Sequence, residues 1–256
     1  CSITNLMMLH YGDRVQVFSE FCNIGIAAAQ NILLNIATVE GFDFAVMSDQ
    51  DTVYPDGYVS NLLKYSHIRS NVAAIFPGWL DINLSGKAQY PGQYIFDSKN
   101  RLKVISSEPE FLEISHAISS GMMLNLFHLR SIGLMKEELF IDWVDNEWCW
   151  RARNFGYTLL AVPSVRITHT LGDCTVTVFG RNFVKRGMLR NYYIVRNALY
   201  LVFHSKIPSA AKIYLAKKAI HHTIVSYVVS TDKSAEITSL VRAWIHGLLA
   251  KLGKFS

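Results

Sequence analysis

Two aspartates separated by one residue, Asp49-Gln50-Asp51, follow a short apolar run, Phe42–Met47. Carboxylates two apart on an extended chain point to opposite sides, but a turn after the run can bring both toward one ion. Their hard oxygens suit Mg²⁺ or Mn²⁺, which bridges diphosphate oxygens while keeping several waters. Such an ion neutralises the charge that grows on a departing nucleoside diphosphate. The ordinary alternative is a solvated turn, and for two aspartates alone that alternative is the more frequent one. A second acidic run, Asp142-Trp143-Val144-Asp145-Asn146-Glu147, stands at the start of a helical pattern. A carboxylate there is fixed in direction by the backbone and can serve as a general base. The helix dipole favours its charged form and lowers its basicity, so burial has to offset the dipole. The ordinary job for Asp145 is a helix cap; Asp142 and Glu147 are the other candidates for the base.

The elements that position these residues follow from periodicity and punctuation. Arg14–Phe21 is rich in β-formers and is expected to be a strand. Ile26–Val39 has apolar residues at helical spacing and stops before Gly41. Phe42–Met47 is expected to be a buried parallel strand with a site at its C-terminal end. Tyr58–His67 predicts a helix, Val72–Phe76 a strand, and 81–115 loops or short edge strands. Ala117–Asn125 predicts a strand kinked at Gly121, and Phe127–Ile132 a short helix. Asp145–Phe155 predicts a helix with acids early and arginines late, and Thr158–Pro163 and Val165–His169 the last strands. From Arg181 onward the pattern is helical. Alternating strands and helices imply an α/β domain over 1–180, followed by a helical segment over 181–256.

Composition separates the same two parts. Of the 256 residues, 1–180 carry 12 Lys/Arg against 18 Asp/Glu, a net of −6, whereas 181–256 carry 13 against 2, a net of +11. The basic part is rich in aliphatic and aromatic residues. It is read as amphipathic helices at an anionic membrane surface and not as a nucleic-acid arm. Arg186, Arg190, Arg196, Lys212, Lys217 and Lys218 are its candidate contacts to lipid phosphates, with a solvated helix face as the alternative. No uninterrupted apolar run approaches the roughly 18 residues of a membrane span, and no signal peptide is evident. Cys1, Cys22, Cys149 and Cys174 form no CxxC pair, so they are expected to be incidental thiols in a reducing compartment.

Asp49-Gln50-Asp51-Thr52-Val53 also resembles the DxDx[TV] nucleophile loop of haloacid-dehalogenase-type phosphatases, in which Asp49 would attack phosphorus and Asp51 would be the acid/base. The late acidic pair of that family is incomplete here, at Gly172-Asp173-Cys174-Thr175-Val176-Thr177. The order of several motifs decides for another family. Asn23-Ile24-Gly25-Ile26-Ala27-Ala28-Ala29-Gln30-Asn31 precedes the aspartates. Ala117-Ile118-Ser119-Ser120-Gly121 follows them, and then come Phe140-Ile141-Asp142-Trp143-Val144-Asp145-Asn146-Glu147-Trp148, His169-Thr170-Leu171-Gly172-Asp173 and Arg190-Asn191-Tyr192-Tyr193-Ile194-Val195-Arg196-Asn197. In this order they resemble the family-2 inverting glycosyltransferases of GT-A fold, in particular their rhamnosyltransferase-like branch, over nearly the whole chain.

That resemblance implies a sugar transfer from a nucleoside-diphosphate sugar, with dTDP-L-rhamnose foremost, onto a polyprenyl-diphosphate-linked glycan in bacterial surface polysaccharide assembly. It implies a peripheral enzyme at the cytoplasmic face of the inner membrane and a Mn²⁺ or Mg²⁺ cofactor. Asp51, with His169, is implied as metal ligand, Asp49 as diphosphate anchor and Asp145 as base. Asn23, Gly25 and Asn31 would shape the nucleotide pocket, with turn and cap chemistry as the alternative. Ser120 and Gly121 would line the junction of donor and acceptor. Trp143 and Trp148 would stack on sugars and Arg151 would reach a phosphate; core packing and a helix-end role are the alternatives for these three. The family's opening βαβ unit has no counterpart before Cys1, which implies an N-terminally incomplete GT-A domain. A non-catalytic nucleotide-sugar-binding module is the remaining alternative.

Overall fold

The computed structural model describes residues 15–81, 88–89, 94–96, 102–104, 109–169, 175–178 and 181–255. A seven-stranded sheet forms its centre. Strand β1 (Phe44–Val46) lies at one edge, followed by β8 (Met123–Asn125), β3 (Val72–Asp81), β9 (Thr158–His169) and β2 (Thr52–Val53); β4 (Ala88–Gln89) pairs with β3 and β7 (Leu112–Glu113) with β9. Two hairpins stand apart, β5 (Tyr94–Phe96) with β6 (Leu102–Val104) and β10 (Thr175–Val178) with β11 (Arg181–Val184).

The central pair β3 and β9 is parallel, and β8 runs antiparallel to both β1 and β3. Both faces of this centre are buried, and the alternation of side chains sorts them. Phe76, Leu124, Leu159 and Ala161 belong to the larger core, whereas Ile75, Met123, Leu160 and Val162 belong to the smaller core on the other face.

Helix α1 (Ile26–Val39) packs its Ala27, Asn31 and Leu34 inward. Helix α2 (Tyr58–Leu63) follows the acidic loop, and α3 (Leu126–Ile132) is capped by Asn125, whose side chain accepts from the Phe127 and His128 amides. Helix α4 (Val144–Asn154) buries Trp148, Cys149 and Trp150. Three helices then complete the described chain: α5 (Met188–His204), α6 (Ser209–Val229) and α7 (Lys233–Leu248). Helix α5 buries an unbroken run, Asn191–Leu201, because α6 and α7 flank it. At Gly247 a Cβ would stand 2.6 Å from the Arg196 carbonyl oxygen, so the glycine permits the close approach of α7 to α5. The larger core runs without a break from Phe76 and Trp148 into Tyr193, Leu199, Leu215 and Leu240.

Five sequence expectations are corrected. The chain is not helical from Arg181 onward, because Arg181–Val184 pair with Thr175–Val178 as a hairpin and the first helix of the C-terminal part begins at Met188. Residues 15–21 form no strand, although they are β-rich; no neighbouring strand pairs with them among the described residues. Phe42–Met47 is not a buried parallel strand, because β1 is a half-buried edge strand antiparallel to β8. Only 123–125 of the expected strand 117–125 pair; Gly121 has φ 76°, which turns the chain out of extended geometry. The two last strands are one strand, β9, which passes Pro163 with a register shift opposite Pro77/Gly78.

Candidate active site

A cavity of about 350 Å³ opens where the C-terminal end of β1, the start of α4 and the last helices meet. Asp49, Asp142 and Asp145 line it together with Gln30, Ser119 and Trp143. Arg186, Arg190, Ile194 and His222 form its other wall.

The segment 119–122 ties the two acidic runs together. Its Ser119 amide donates to Asp145 Oδ2 at 3.0 Å, and its Ser120 hydroxyl meets the Thr52 hydroxyl at 2.7 Å. The Gly121 amide donates to the Met47 carbonyl at 2.8 Å, and the Met47 amide to the Met122 carbonyl at 2.9 Å. Tyr58 Oη donates to the Gly121 carbonyl. Asp49 and Asp145 are thereby positioned by one short piece of backbone. Ser120 and Gly121 act through that stitching, and they do not line the cavity.

Asp145 lies in the first turn of α4, and Trp143 is the residue at the cap position. The Asp145 carboxylate accepts from its neighbour's amide, Asn146, at 2.8 Å and from Ser119. Burial raises its pKa from 3.8 to about 6; the backbone amides of Asn146, Ser119 and Asp145 itself oppose the shift and Asp142 adds to it. A carboxylate in this range is a competent base near neutral pH.

The loop before α4 is conformationally unusual. Phe140, Asp142 and Trp143 all have positive φ, 68°, 62° and 65°, a region that residues with side chains rarely occupy. Helix α5 holds this loop. Asn197 Nδ2 donates to the carbonyls of Leu139, Ile141 and Asp142, and Arg196 donates to those of Leu139 and Gly253. Trp143 Nε1 donates to the Ile194 carbonyl at 2.9 Å, and Arg190 pairs with Asp142 at 3.4 Å. On the other side, Gly25 (φ 86°) leaves room for Phe140: a Cβ there would stand 2.6 Å from its ring. The Ile26 amide donates to the Phe140 carbonyl.

Asn23 and Gly25 line a second, largely apolar cavity of about 650 Å³ with Val17, Phe18, Ile24 and Leu33; Ile26 borders both cavities. The Asn23 side chain accepts from the Gly25 amide at 3.0 Å. Asp51 is exposed on the turn closed by the Thr52 amide and the Asp49 carbonyl. The register pairs His169 with Thr52, so its backbone lies beside the residue that follows Asp51. Gly172 and Asp173 of the same motif lie outside the described residues.

Three residues expected at the substrate are structural. Asn31 is buried, with its amide nitrogen donating to the Met135 carbonyl and Glu137 and its oxygen accepting from the Met135 amide. Trp148 is fully buried and donates to the Gly133 carbonyl. Arg151 binds Glu147 and the carbonyls of Ile132 and Leu134. Each has its polar groups satisfied within the fold, away from the cavity. Arg196, expected at lipid, is likewise buried, over the rings of Tyr192 and Tyr193. Sequence reasoning in turn missed Ser119, Gln30 and His222. Ser119 adjoins the expected Ser120 and Gln30 lies inside the Asn23–Asn31 motif, so both were within reach; His222 had no local signal.

No family model matches the chain. It is 30% identical over 237 residues to the dTDP-rhamnosyl transferase RfbF of Shigella flexneri, which covers 92% of this chain and 79% of that protein. Solved structures similar to it include S. aureus TarS (TM-score 0.58, 12% identity, 97% of this chain and 42% of that one) and GalNAc-T7 with UDP, GalNAc and Mn²⁺ (TM-score 0.51, 13% identity, 96% and 48%). The chain thus spans less than half the length of these two structures, and they establish its fold as GT-A. A phosphatase loop is not supported by that fold.

Proposed function

The chain belongs to the glycosyltransferase family of dTDP-rhamnosyl transferase RfbF, and on that premise we propose that it moves L-rhamnose from dTDP-L-rhamnose, with inversion, onto a hydroxyl of a lipid-linked glycan in polysaccharide synthesis. The observation that carries this reading is the placement of Asp49 and Asp145 on one cavity, with Asp145 near neutral pKa and fixed by two amides. Asp145 takes the proton of the acceptor hydroxyl as that oxygen attacks the anomeric carbon from the side opposite the leaving phosphate. Its two amide partners hold the carboxylate in place and stay bonded through the transfer. Trp143, held at a positive φ by its bond to α5, offers a ring face to a sugar. The apolar cavity around Phe18, Asn23 and Gly25 suits the nucleoside end of the donor.

Asp49 lines the cavity and Asp51 stands exposed in the same turn, two hard-oxygen donors of the kind a divalent cation takes, with no group of three His, Cys, Asp or Glu side chains gathered for a metal among the described residues. Asp49 and Asp51, with His169, would hold Mn²⁺ or Mg²⁺, which when bound neutralises charge on the leaving diphosphate.

The same reading places the protein peripherally on an anionic bilayer, at the inner-membrane face. Among the described residues no helix is long and apolar enough to cross a membrane. Yet the outward sides of α6 and α7 expose Ile213, Ile220 and Ile224, and Ile237, Val241 and Ile245. Lysines and Arg242 lie beside them, the composition of an interfacial helix pair. The transfer reading is tested with the full chain, dTDP-L-rhamnose and a membrane extract as acceptor source. Metal-dependent incorporation of rhamnose into glycolipid that is lost in Asp145→Asn supports it, and incorporation unchanged by that substitution overturns it.

A further inference from the structure

Beyond α7, residues 249–255 turn back across α5 toward the loop that carries the base. The Gly253 amide donates to the Glu138 carbonyl at 2.7 Å, and the Gly253 carbonyl accepts from Arg196 Nη1 at 2.6 Å. Arg196 Nη2 donates in turn to the Leu139 carbonyl at 2.9 Å. Gly253, Arg196 and the Glu138–Leu139 backbone thus close a ring of hydrogen bonds. Two residues on, the Phe255 amide donates to Tyr193 Oη at 2.7 Å, and the Phe255 ring stands 4.6 Å from that of Tyr192. The Tyr193 ring is stacked on that of Phe140, with centroids 5.1 Å apart and planes 17° from parallel. The segment therefore reaches Glu138, Leu139 and Phe140 directly or through one side chain of α5.

The backbone of the segment follows a defined course and is not a frayed helix end. Ala250 has φ 54° and Gly253 φ 87°. Among the described residues, every non-glycine residue at positive φ lies either here or in the loop before α4: Ala250, Phe140, Asp142 and Trp143. Such conformations persist only where surrounding contacts over-determine them. The segment supplies those contacts at the start of the loop, as Asn197 does further on, at Ile141 and Asp142. Leu252 and Phe255 also pack against the larger core, so buried apolar surface anchors the segment beside the hydrogen-bonded ring. Only residues 141–144 separate Phe140 from Asp145. A shift at the start of the loop is therefore passed on to the first turn of α4.

We propose that the segment 249–255 is a positioning element of the active site: Gly253 and Phe255 clasp the loop before α4 through Arg196 and Tyr193, and Asp145 is aligned for proton transfer only while the clasp is closed. Gly253 and Phe255 are positioning residues, since they touch no substrate and act through the loop. The consequence for proton transfer rests on the transfer reading; the clasp on the loop does not.

Amide hydrogen exchange and transfer kinetics, both on the full chain, test this. Gly253→Pro removes the amide that serves Glu138 and cannot adopt φ 87°. It is expected to speed exchange at the Phe140 and Ile141 amides, which donate to the Glu137 and Leu139 carbonyls, by about tenfold or more, while β3 and β9 exchange as in the wild type. It also lowers kcat by about tenfold or more and changes KM for dTDP-L-rhamnose by less than about twofold. Phe255→Ala acts in the same direction more weakly and decides the matter if Gly253→Pro does not fold; Phe255→Leu, which restores apolar bulk, recovers most of the loss. Lys254→Gln, at an exposed position between the two, changes neither quantity. Unchanged loop exchange in both variants overturns the proposal. So does acceleration that is equal in the loop and in β3 and β9, or a loosened loop with wild-type kcat. A wild type that transfers no rhamnose removes the transfer reading alone, because loop exchange in the variants still decides the clasp.

Discussion

The two walls of the cavity are built by different means. The acidic wall comes from loops: Asp49 lies three residues beyond the edge strand β1, and Asp145 follows three residues at positive φ, Phe140, Asp142 and Trp143. The basic wall comes from, or directly precedes, regular helices, with His222 in α6 and Arg190 in α5. Loops can aim carboxylates individually, but such backbone conformations cost on the order of 1–3 kcal/mol each and need support. Helix α5 gives that support through Asn197 and Arg196. The helical layer therefore does more than bring charge to a surface, since it also holds the strained loop that carries the base.

This contrast can be broken from either side. The largest effect is expected at the acidic wall. Asp145→Asn should lower kcat by about 10²–10⁴, the usual contribution of a general base, with donor affinity preserved; radiometric transfer and equilibrium binding measured together check this. Asp51→Ala comes next. Removing a carboxylate from the ion site should abolish the Mn²⁺-dependent part of dTDP-L-rhamnose binding; calorimetric titration with and without EDTA checks this.

The support of the loop gives intermediate effects. Asn197→Ala leaves the carbonyls of Leu139, Ile141 and Asp142 without that donor. It should cost about 1–3 kcal/mol in urea unfolding and lower kcat more than it raises KM for the donor. Gly25→Ala places a Cβ 2.6 Å from Phe140 at φ 86° and should destabilise by a similar ~1–3 kcal/mol. If both variants unfold less easily than the wild type, the loop is not held as described. The smallest effect is expected on the outer surface. Lys217→Glu should reduce binding to anionic vesicles by about 1 kcal/mol per charge removed, in a salt-sensitive way; equal binding at low and high salt would exclude the electrostatic account.

The sequence made the order of motifs plain, and with it the GT-A fold and the roles proposed for Asp49 and Asp145. Helix α1 was legible to the residue, because its periodicity and the glycine beyond its end are local signals. The placement of Phe42–Met47 was not, because pairing partner and edge position depend on residues nearly eighty positions away. Asn31, Trp148 and Arg151 looked like site residues because they sit within the motifs. Their partners, at Met135, Gly133 and Ile132, are brought near only by the fold. The same holds in reverse for His222, which joins the cavity through the packing of α6 against Trp143 and has no chemical neighbour in sequence that marks it.

The pH dependence of transfer by the wild type bears most directly on the base. Asp145 carries a raised pKa, about 6 against an ordinary 3.8. Its contribution to folding is therefore full below about pH 3.8 and lost as pH rises through 6, while its catalytic form appears over that upper range. In the free enzyme kcat/KM for the donor should rise tenfold per pH unit below 6 and level off above it, and the residual rate of Asp145→Asn should show no such limb. A profile that is flat between pH 5 and 7, or an Asn variant that keeps the same limb, would contradict Asp145 as the group that takes the acceptor's proton.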